Sequence, residues 1–359
     1  MTNLGRTTYD VIGIMSGTSL DGVDIAFCRF AVDNNKWSYD IIRAETVPYS
    51  PEWKNRLLKM ENADAATFQQ THVDYGFYLG MLASDMMIRY NLKADFVSSH
   101  GHTIFHQPEK KLTVQVGLGS AIAARCKVPV VCDFRSLDVA LGGQGAPLVP
   151  VGDKLLFSEY DFCLNLGGFA NVSYQHKGER IAYDICPVNI VMNPVCERMG
   201  KPYDDEGKIA RSGMLSNYLL NELNQIGFYK AIADSPKSLG KEWVIKNIEP
   251  LLDTYELAEN DLLRTICEHI AFQIGKALKN KPVGKLLVTG GGAYNSFLIE
   301  CIKQHISHEL IIPDEKTIEF KEALIFAFLG VLRMRGEVNC LKSVTGAMKD
   351  NCGGAVYLD

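Results

Sequence analysis

Residues Ile12–Phe27 read IGIMSGTSLDGVDIAF. Two apolar runs flank Ser16-Gly17-Thr18-Ser19-Leu20-Asp21-Gly22, a polar, glycine-bearing centre. Asp-Gly between alternating apolar segments is a hairpin signal, so the stretch predicts two antiparallel strands joined by a turn. The centre also suits an anion. Gly17 lets a ligand approach the backbone, Thr18 and Ser19 add hydroxyl donors, and successive turn N–H groups can form an anion-binding concavity. Asp21 and Asp24 would repel bare phosphate unless Mg²⁺, directly or through water, lies between them and it. On this stretch alone a plain hairpin turn and a metal-nucleotide turn both remain open.

Working outward, Tyr9–Met15, Val23–Phe30 and Trp37–Pro48 read as three strands rich in Val, Ile, Phe and Tyr. A helix is expected over Ala65–Tyr90, then a strand at Asp95–Ser99, a helix at Leu118–Cys126 and a strand at Val128–Cys132. This alternation is the α/β pattern. The scheme then restarts. Tyr160–Gly168 is a strand running into a glycine turn, Ala170–Tyr174 leads out, and Arg180–Ile185 is a third strand. Helices follow at Ser216–Ile226 and Leu257–Leu278, then a buried strand at Lys285–Thr289 ending in Gly290-Gly291-Gly292 and a further helix from Tyr294. Two domains are therefore expected, 1–130 joined by the tail 340–359, and 131–339.

Composition excludes several classes. The chain has 359 residues, 47% hydrophobic and 22% charged, ordinary values for a folded protein and enough chain for two domains. A net charge of −5 without a Lys/Arg-rich run argues against nucleic acid as the main partner. The start MTNLGRTTYD lacks the basic and apolar regions of a signal peptide. No apolar run approaches the roughly 20 residues of a membrane span, and Ala323–Met334 reads as a buried helix. The ten cysteines are scattered singly with no Cys-x-x-Cys pair, which indicates small core residues in a reduced, cytoplasmic protein.

Several stretches carry chemistry. Asn165–Asn171 (NLGGFAN) repeats the equipment of the first turn through Asn165, Gly167 and Gly168. Two such turns at matching places in two half-chains suggest loops facing each other across a cleft. Gly290, Gly291 and Gly292 end a strand and open a helix, where open α/β sheets bind ligands; a plain strand-to-helix turn is the alternative. Asp184 ends the third strand of the second half and is either a turn residue or a base beside the phosphoryl group. His100 and His102 invite a metal reading, but no carboxylate or cysteine cluster lies nearby, so substrate contact or local hydrogen bonding comes first. Arg135, in the glycine-rich connection 133–148, offers a planar fork for carboxylate or phosphate, or is a surface-loop residue. No Walker A motif, intact G-x-G-x-x-G or His-Arg-Asp kinase loop is present.

Together these motifs resemble the anhydro-N-acetylmuramic acid kinases, a family of the sugar kinase/hsp70/actin superfamily. The resemblance rests on GIMSGTSLDGVD (13–24), SHG-TI-H-P (99–108), DFRSLDVALGGQGAPLVP (133–150), NLGGFANVS (165–173), GKPYDDEGKIARSG (200–213), VTGGGAYN (288–295), EALIFAFLG (322–330) and SVTGA (343–347). It implies a two-domain α/β fold with duplicated ribonuclease H-like βββαβαβα cores and an interdomain cleft. It also implies a kinase that uses ATP, Mg²⁺ and water to turn 1,6-anhydro-N-acetylmuramic acid into N-acetylmuramic acid 6-phosphate in peptidoglycan recycling. Asp184 matches the family's catalytic aspartate. Gly17, Thr18, Ser19, Asp21, Gly22, Asp24, Asn165, Gly167, Gly168 and Gly290–Gly292 would hold nucleotide and phosphate, with Asp21 and Asp24 towards the metal. Arg135, Glu322 and His100 fall on the sugar side. A cytoplasmic homodimer is implied as well.

Three places depart from the family pattern. The usual form around Asp184 is similar to Asp-Thr-Gly-Pro-Gly-Asn, whereas this chain has Asp184-Ile185-Cys186-Pro187-Val188-Asn189. Valine resists positive φ, so this loop is expected to hold ordinary backbone angles or to be shifted. Asn193 stands where many relatives have Asp, and His102 where Gln is usual. A kinase of another amino sugar, and a nucleotide-binding scaffold without catalysis, are the alternatives.

Overall fold

The computed structural model describes residues 6–17, 20–230 and 238–358. Its strands are β1 (Thr8–Ser16), β2 (Gly22–Asp33), β3 (Lys36–Pro48), β4 (Phe96–Gln107), β5 (Leu112–Val116), β6 (Val130–Cys132), β7 (Phe162–Leu166), β8 (Phe169–His176), β9 (Glu179–Pro187), β10 (Lys285–Thr289), β11 (Glu309–Ile311) and β12 (Ala355–Tyr357). The opening stretch forms the expected hairpin, with Met15 opposite Asp24 and Thr8 opposite Ala31.

The strands make two sheets. The first has the order β12-β6-β4-β1-β2-β3 with β5 on β4, and the second β11-β10-β7-β8-β9. Five strands of each correspond in order and direction. β1, β2 and β3 pair antiparallel in sequence, as do β7, β8 and β9. β4 and β6 then extend the first sheet in parallel from β1, as β10 and β11 extend the second from β7. This is the duplicated three-antiparallel, two-parallel core expected from the restart of the pattern.

The chain divides into two compact units, Met1–Leu156 with Phe320–Asp359, and Phe157–Glu319. The division falls later than residue 130 because β6 is the fifth strand of the first sheet, where it pairs with β4 and β12. The return falls earlier than 340, within helix Glu315–Arg335, because that helix packs on β1 and β4. An added Cβ on Gly13 would meet the Ala323 carbonyl at 2.1 Å, so only glycine allows the approach. Ser98 Oγ also donates to the Phe326 carbonyl at 2.5 Å.

Strand alternation explains the other face of the first sheet. Ile12 and Ile14 point away from Gly13's partner into a core with Tyr75, Leu79, Met86 and Ile122. Helix Ala65–Arg89, capped by Asp64 accepting from Ala66 and Thr67 N–H, supplies the first three of these. The second unit has its own core, in which β7–β10 pack against helices Glu259–Leu278 and Ser296–His305. Nine of the ten cysteines are buried, in agreement with their reading as core residues.

Candidate functional site

In the first unit, β1 ends at Ser16 and β2 begins at Gly22. Thr18 and Ser19 lie outside the described residues. Leu20 N–H donates to the Gly17 carbonyl at 3.4 Å, and Leu20 itself adopts φ +59°. Gly22 is required for close approach, since an added Cβ would stand 2.5 Å from the Val47 carbonyl. Asp21 is exposed and Asp24 half-buried. Burial raises the Asp24 carboxyl, a 2.6 Å hydrogen bond from Thr46 Oγ1 opposes the rise, and the charge of Asp21 adds to it. The negative charge of Asp21 acting on Asp24 is of the kind a divalent cation would relieve. Among the described residues no group of three or more His, Cys, Asp or Glu side chains could hold a metal ion.

The first unit also brings Arg135, His100 and Glu322 together. Arg135 Nε donates to His100 Nε2 at 2.9 Å, and Nη1 donates to the Gly145 carbonyl at 2.6 Å. His100 Nδ1 must then carry the ring proton and donate to the Gly101 carbonyl at 2.9 Å. Burial, with Arg135 second, pushes His100 well below the usual histidine range, so it is a neutral acceptor. Burial pulls Arg135 down to about 10, against the nearby Glu322 carboxylate. Glu322 keeps a solvent-accessible side chain, yet enough protein surrounds it for desolvation to raise its carboxyl; Arg135 opposes this and Asp24 reinforces it.

Ser16, which sequence reasoning treated as the edge of the turn, anchors a buried network. Its Oγ lies 2.5 Å from Tyr49 OH, 3.0 Å from Tyr75 OH and 2.8 Å from His102 Nδ1, and the two tyrosine hydroxyls also bond each other. The three hydroxyls bring only three protons to these four contacts, so the fourth comes from His102 Nδ1–H. His102 is thus the Nδ1–H tautomer with a bare Nε2. Burial pushes its pKa down to about 4, which keeps it neutral near pH 7.

In the second unit three segments converge. The Gly167-Gly168 turn joins β7 to β8, and its carbonyls accept from the backbone of the Asp184 loop: Val188 N–H to Gly168 at 2.8 Å, Asn189 N–H to Gly167 at 3.3 Å. Asn189 Nδ2 donates to the Leu166 carbonyl at 3.3 Å. Gly290, at φ +83°, has no room for a Cβ, which would stand 2.6 Å from Asn165 Oδ1 and 2.8 Å from the Leu166 backbone. A Cβ on Gly292 would meet Leu166 Cβ at 2.7 Å, and one on Gly291 would come 3.7 Å from Asn189 Nδ2. Asn165, Gly167, Gly168 and Gly290–Gly292 therefore form one glycine-lined surface. The glycine run closes as a 3-10 turn, Gly291–Tyr294, and the α-helix starts two residues later than Tyr294, at Ser296, capped by Asn295 Oδ1.

Asp184 stands beside this surface on β9, opposite Asn171 of β8. A bulge places one extra residue, Ile185, between the Asp184 and Cys186 pairings, a device that re-aims a neighbouring side chain. Leu239 N–H donates to Asp184 Oδ2 at 2.8 Å; sequence reasoning had no signal for this partner 55 residues away. β9 continues through Pro187, and Val188 avoids positive φ, as expected of valine, but at φ −128° and ψ −98° it stands outside the ordinary helical and extended regions. Cys186 and Val188 are both fully buried in the core, so they have become packing residues. Asn193 lies within helix Asn189–Glu197.

Comparison with known proteins agrees with these motifs. The family model described as Anhydro-N-acetylmuramic acid kinase matches residues 9–359. Curated proteins of that name from Vibrio vulnificus (strain YJ016) and Sulfurovum sp. (strain NBC37-1) are 34% and 35% identical to the chain. The alignments cover 96% and 97% of this chain, and 97% and 98% of theirs. One from Bacillus cereus (strain 03BB102) is 30% identical over 94% of this chain and 96% of its own length. With the duplicated sheet topology in place, these matches make the chain a member of the anhydro-N-acetylmuramic acid kinase family.

Proposed function

We propose that the chain is an ATP-dependent kinase that opens 1,6-anhydro-N-acetylmuramic acid with water and phosphorylates O6. The observation that carries this reading is the second unit's surface, where the Gly167-Gly168 turn is hydrogen-bonded to the Asp184 loop and Gly290–Gly292 pack closely on Asn165 and Leu166, within a family match spanning residues 9–359. Gly167, Gly168 and Gly290–Gly292 offer backbone without side chains, against which a flat base and phosphates can lie. On the first unit, Gly17 with Thr18, Ser19 and Gly22 would receive phosphate. Asp21 and Asp24 fit a Mg²⁺ held through one or two carboxylates, and that ion would neutralise phosphate charge.

Asp184 is the base in this reading. It takes a proton from the water that attacks the anomeric carbon, the bond from that carbon to O6 breaks, and O6 accepts the γ-phosphoryl group. The products are the 6-phosphate and ADP. Leu239 N–H, bonded to Oδ2, fixes the carboxylate's orientation. Arg135 and Glu322 would hold the sugar's polar groups, with His100 fixing the guanidinium. The same reading makes the protein a cytoplasmic homodimer in peptidoglycan recycling. Among the described residues no helix is long and apolar enough to cross a membrane.

The test is turnover with ATP, Mg²⁺ and the anhydro sugar in ¹⁸O-labelled water. The label should appear at C1 of the 6-phosphate, and Asp184→Asn should lower kcat by roughly 10²–10⁴-fold. An unchanged rate in the variant would remove Asp184 from the mechanism. The buried Cys186 and Val188 favour one second reading, a related amino sugar as substrate. A panel of anhydro and open sugars in which an open sugar was preferred would establish it.

A further inference from the structure

The Asp138 carboxylate is wholly buried and collects four donors. Oδ1 accepts from Cys340 Sγ at 2.9 Å, Thr345 Oγ1 at 2.9 Å and Asn351 Nδ2 at 2.8 Å, while Oδ2 accepts from Gly145 N–H at 2.8 Å. Burial, followed by the hydrogen bond to Asp138, raises the Cys340 thiol and keeps it a donor. The glycines of the connection wrap this group. A Cβ on Gly143 would stand 2.2 Å from Asp138 Oδ2, and Gly145 needs φ +67°. Gln144 N–H donates to the Thr345 carbonyl at 2.8 Å, so the same loop is tied twice to the C-terminal segment. Two conspicuous sequence stretches, 133–150 and 343–347, thus meet at one carboxylate.

The chain of contacts continues beyond the hub. Gly145, held through its N–H by Asp138, turns its carbonyl to Arg135 Nη1 at 2.6 Å, and Arg135 Nε is held by His100 at 2.9 Å. Two of the three guanidinium nitrogens are thereby committed, and Nη2 has no partner among the described residues. We infer that Asp138 is a positioning residue: it fixes Gly145 so that Gly145 and His100 together present Arg135 Nη2 to an anionic group of the substrate. This rests on the reading of Arg135 as a substrate-binding residue. Asp138 touches no substrate itself.

An isosteric Asp138→Asn carries one acceptor and one donor where four donors converge, so whichever way the amide turns, one side of the hub breaks. The expected result is a rise in the sugar KM of roughly tenfold or more, with the ATP KM within about twofold. In an Arg135→Ala background the same change should add less than about twofold, because the residue it positions is gone. Thr345→Val, which removes a donor from Oδ1 and spares Gly145, should lower Tm while leaving the sugar KM within roughly threefold. If Asp138→Asn does not fold, Gly143→Ala displaces the carboxylate sterically and should reproduce the sugar KM effect. The inference is overturned if Asp138→Asn (or Gly143→Ala in its place) acts with full force in the Arg135→Ala background, or raises both KM values alike. An unchanged sugar KM in Arg135→Ala alone would instead overturn the reading of Arg135, and the positioning role with it.

Discussion

At the scale of single residues, neutral buried histidines set part of the acid response. Burial pushes His102 to about 4 and His269 to about 3, below the unfolded value of about 6.5. His269 is held by Asn224 Oδ1 at 2.8 Å and Tyr229 OH at 3.1 Å, again with the proton on Nδ1 because an amide oxygen only accepts. A group whose folded pKa is depressed takes up its proton more readily in the unfolded chain. Its stabilisation is therefore complete above about pH 6.5 and lost as pH falls towards 4 for His102 and 3 for His269. Between pH 7 and pH 5 the His102 contribution alone is roughly 2 kcal/mol. Urea unfolding of wild type and His102→Gln at both pH values should show the loss shrinking by about that amount in the variant, since glutamine does not titrate. Equal losses would refute the assignment of His102 as a neutral group. Nitrogen NMR supplies a second check, with the bare Nε2 signal expected near pH 7 and an Nε2–H signal contradicting the proton count at Ser16. The sequence singled out His102 as a residue near the chemistry. It held no signal for Tyr49 or Tyr75, because a hydroxyl meeting a histidine across separate elements leaves no periodic trace.

At the scale of elements, the glycine surface of the second unit makes a separable prediction. Gly290→Ala meets both a positive φ of +83° and a 2.6 Å clash with Asn165 Oδ1. Gly178, in the β8–β9 turn, also has positive φ, at +86°, but nothing lies within 4 Å of an added Cβ. Gly178→Ala should therefore cost about 1–2 kcal/mol of stability through its backbone alone and leave both KM values unchanged. Gly290→Ala should raise the ATP KM by roughly tenfold or more beyond any matching loss of Tm, since it pushes Asn165 and Leu166 out of the surface. Matching KM values in the two variants would separate Gly290 from nucleotide binding. Much of this surface was legible: Lys285–Thr289 is the predicted strand, and the glycine turns stand where apolar runs stop. The strand read at Asp95–Ser99 instead runs as β4 from Phe96 to Gln107, past Gly101 at φ +72°. Histidines around a glycine resemble a loop, and only the pairing of β5 with β4 shows that the strand continues. Three-residue strands such as β11 and β12 are too short for any alternation to register.

At the scale of the whole molecule, the two units differ in how the chain builds them. Phe157–Glu319 is continuous and contains every strand of its sheet, and among the described residues its core, from Phe162 to Ile318, draws on none outside that span. Met1–Leu156 lacks what Phe320–Asp359 supplies to its unit: strand β12, the helical face against Gly13 and Ser98, and three of the four donors to Asp138. Removing that segment would uncover the central strand of a sheet built to be buried on both faces and leave a buried carboxylate with one donor, losses of the kind that cost several kcal/mol each. The fragment 157–319 should therefore unfold cooperatively in urea with near-native circular dichroism, whereas 1–156 alone should lack a cooperative transition. Adding 320–359 through a short linker, as a rearranged single chain, should restore that transition, because the missing face and the Asp138 donors return together. A cooperative transition in 1–156 by itself would mean that the C-terminal segment is an accessory to the first sheet. Failure of 157–319 to fold would mean that its core depends on the other unit despite being complete in sequence.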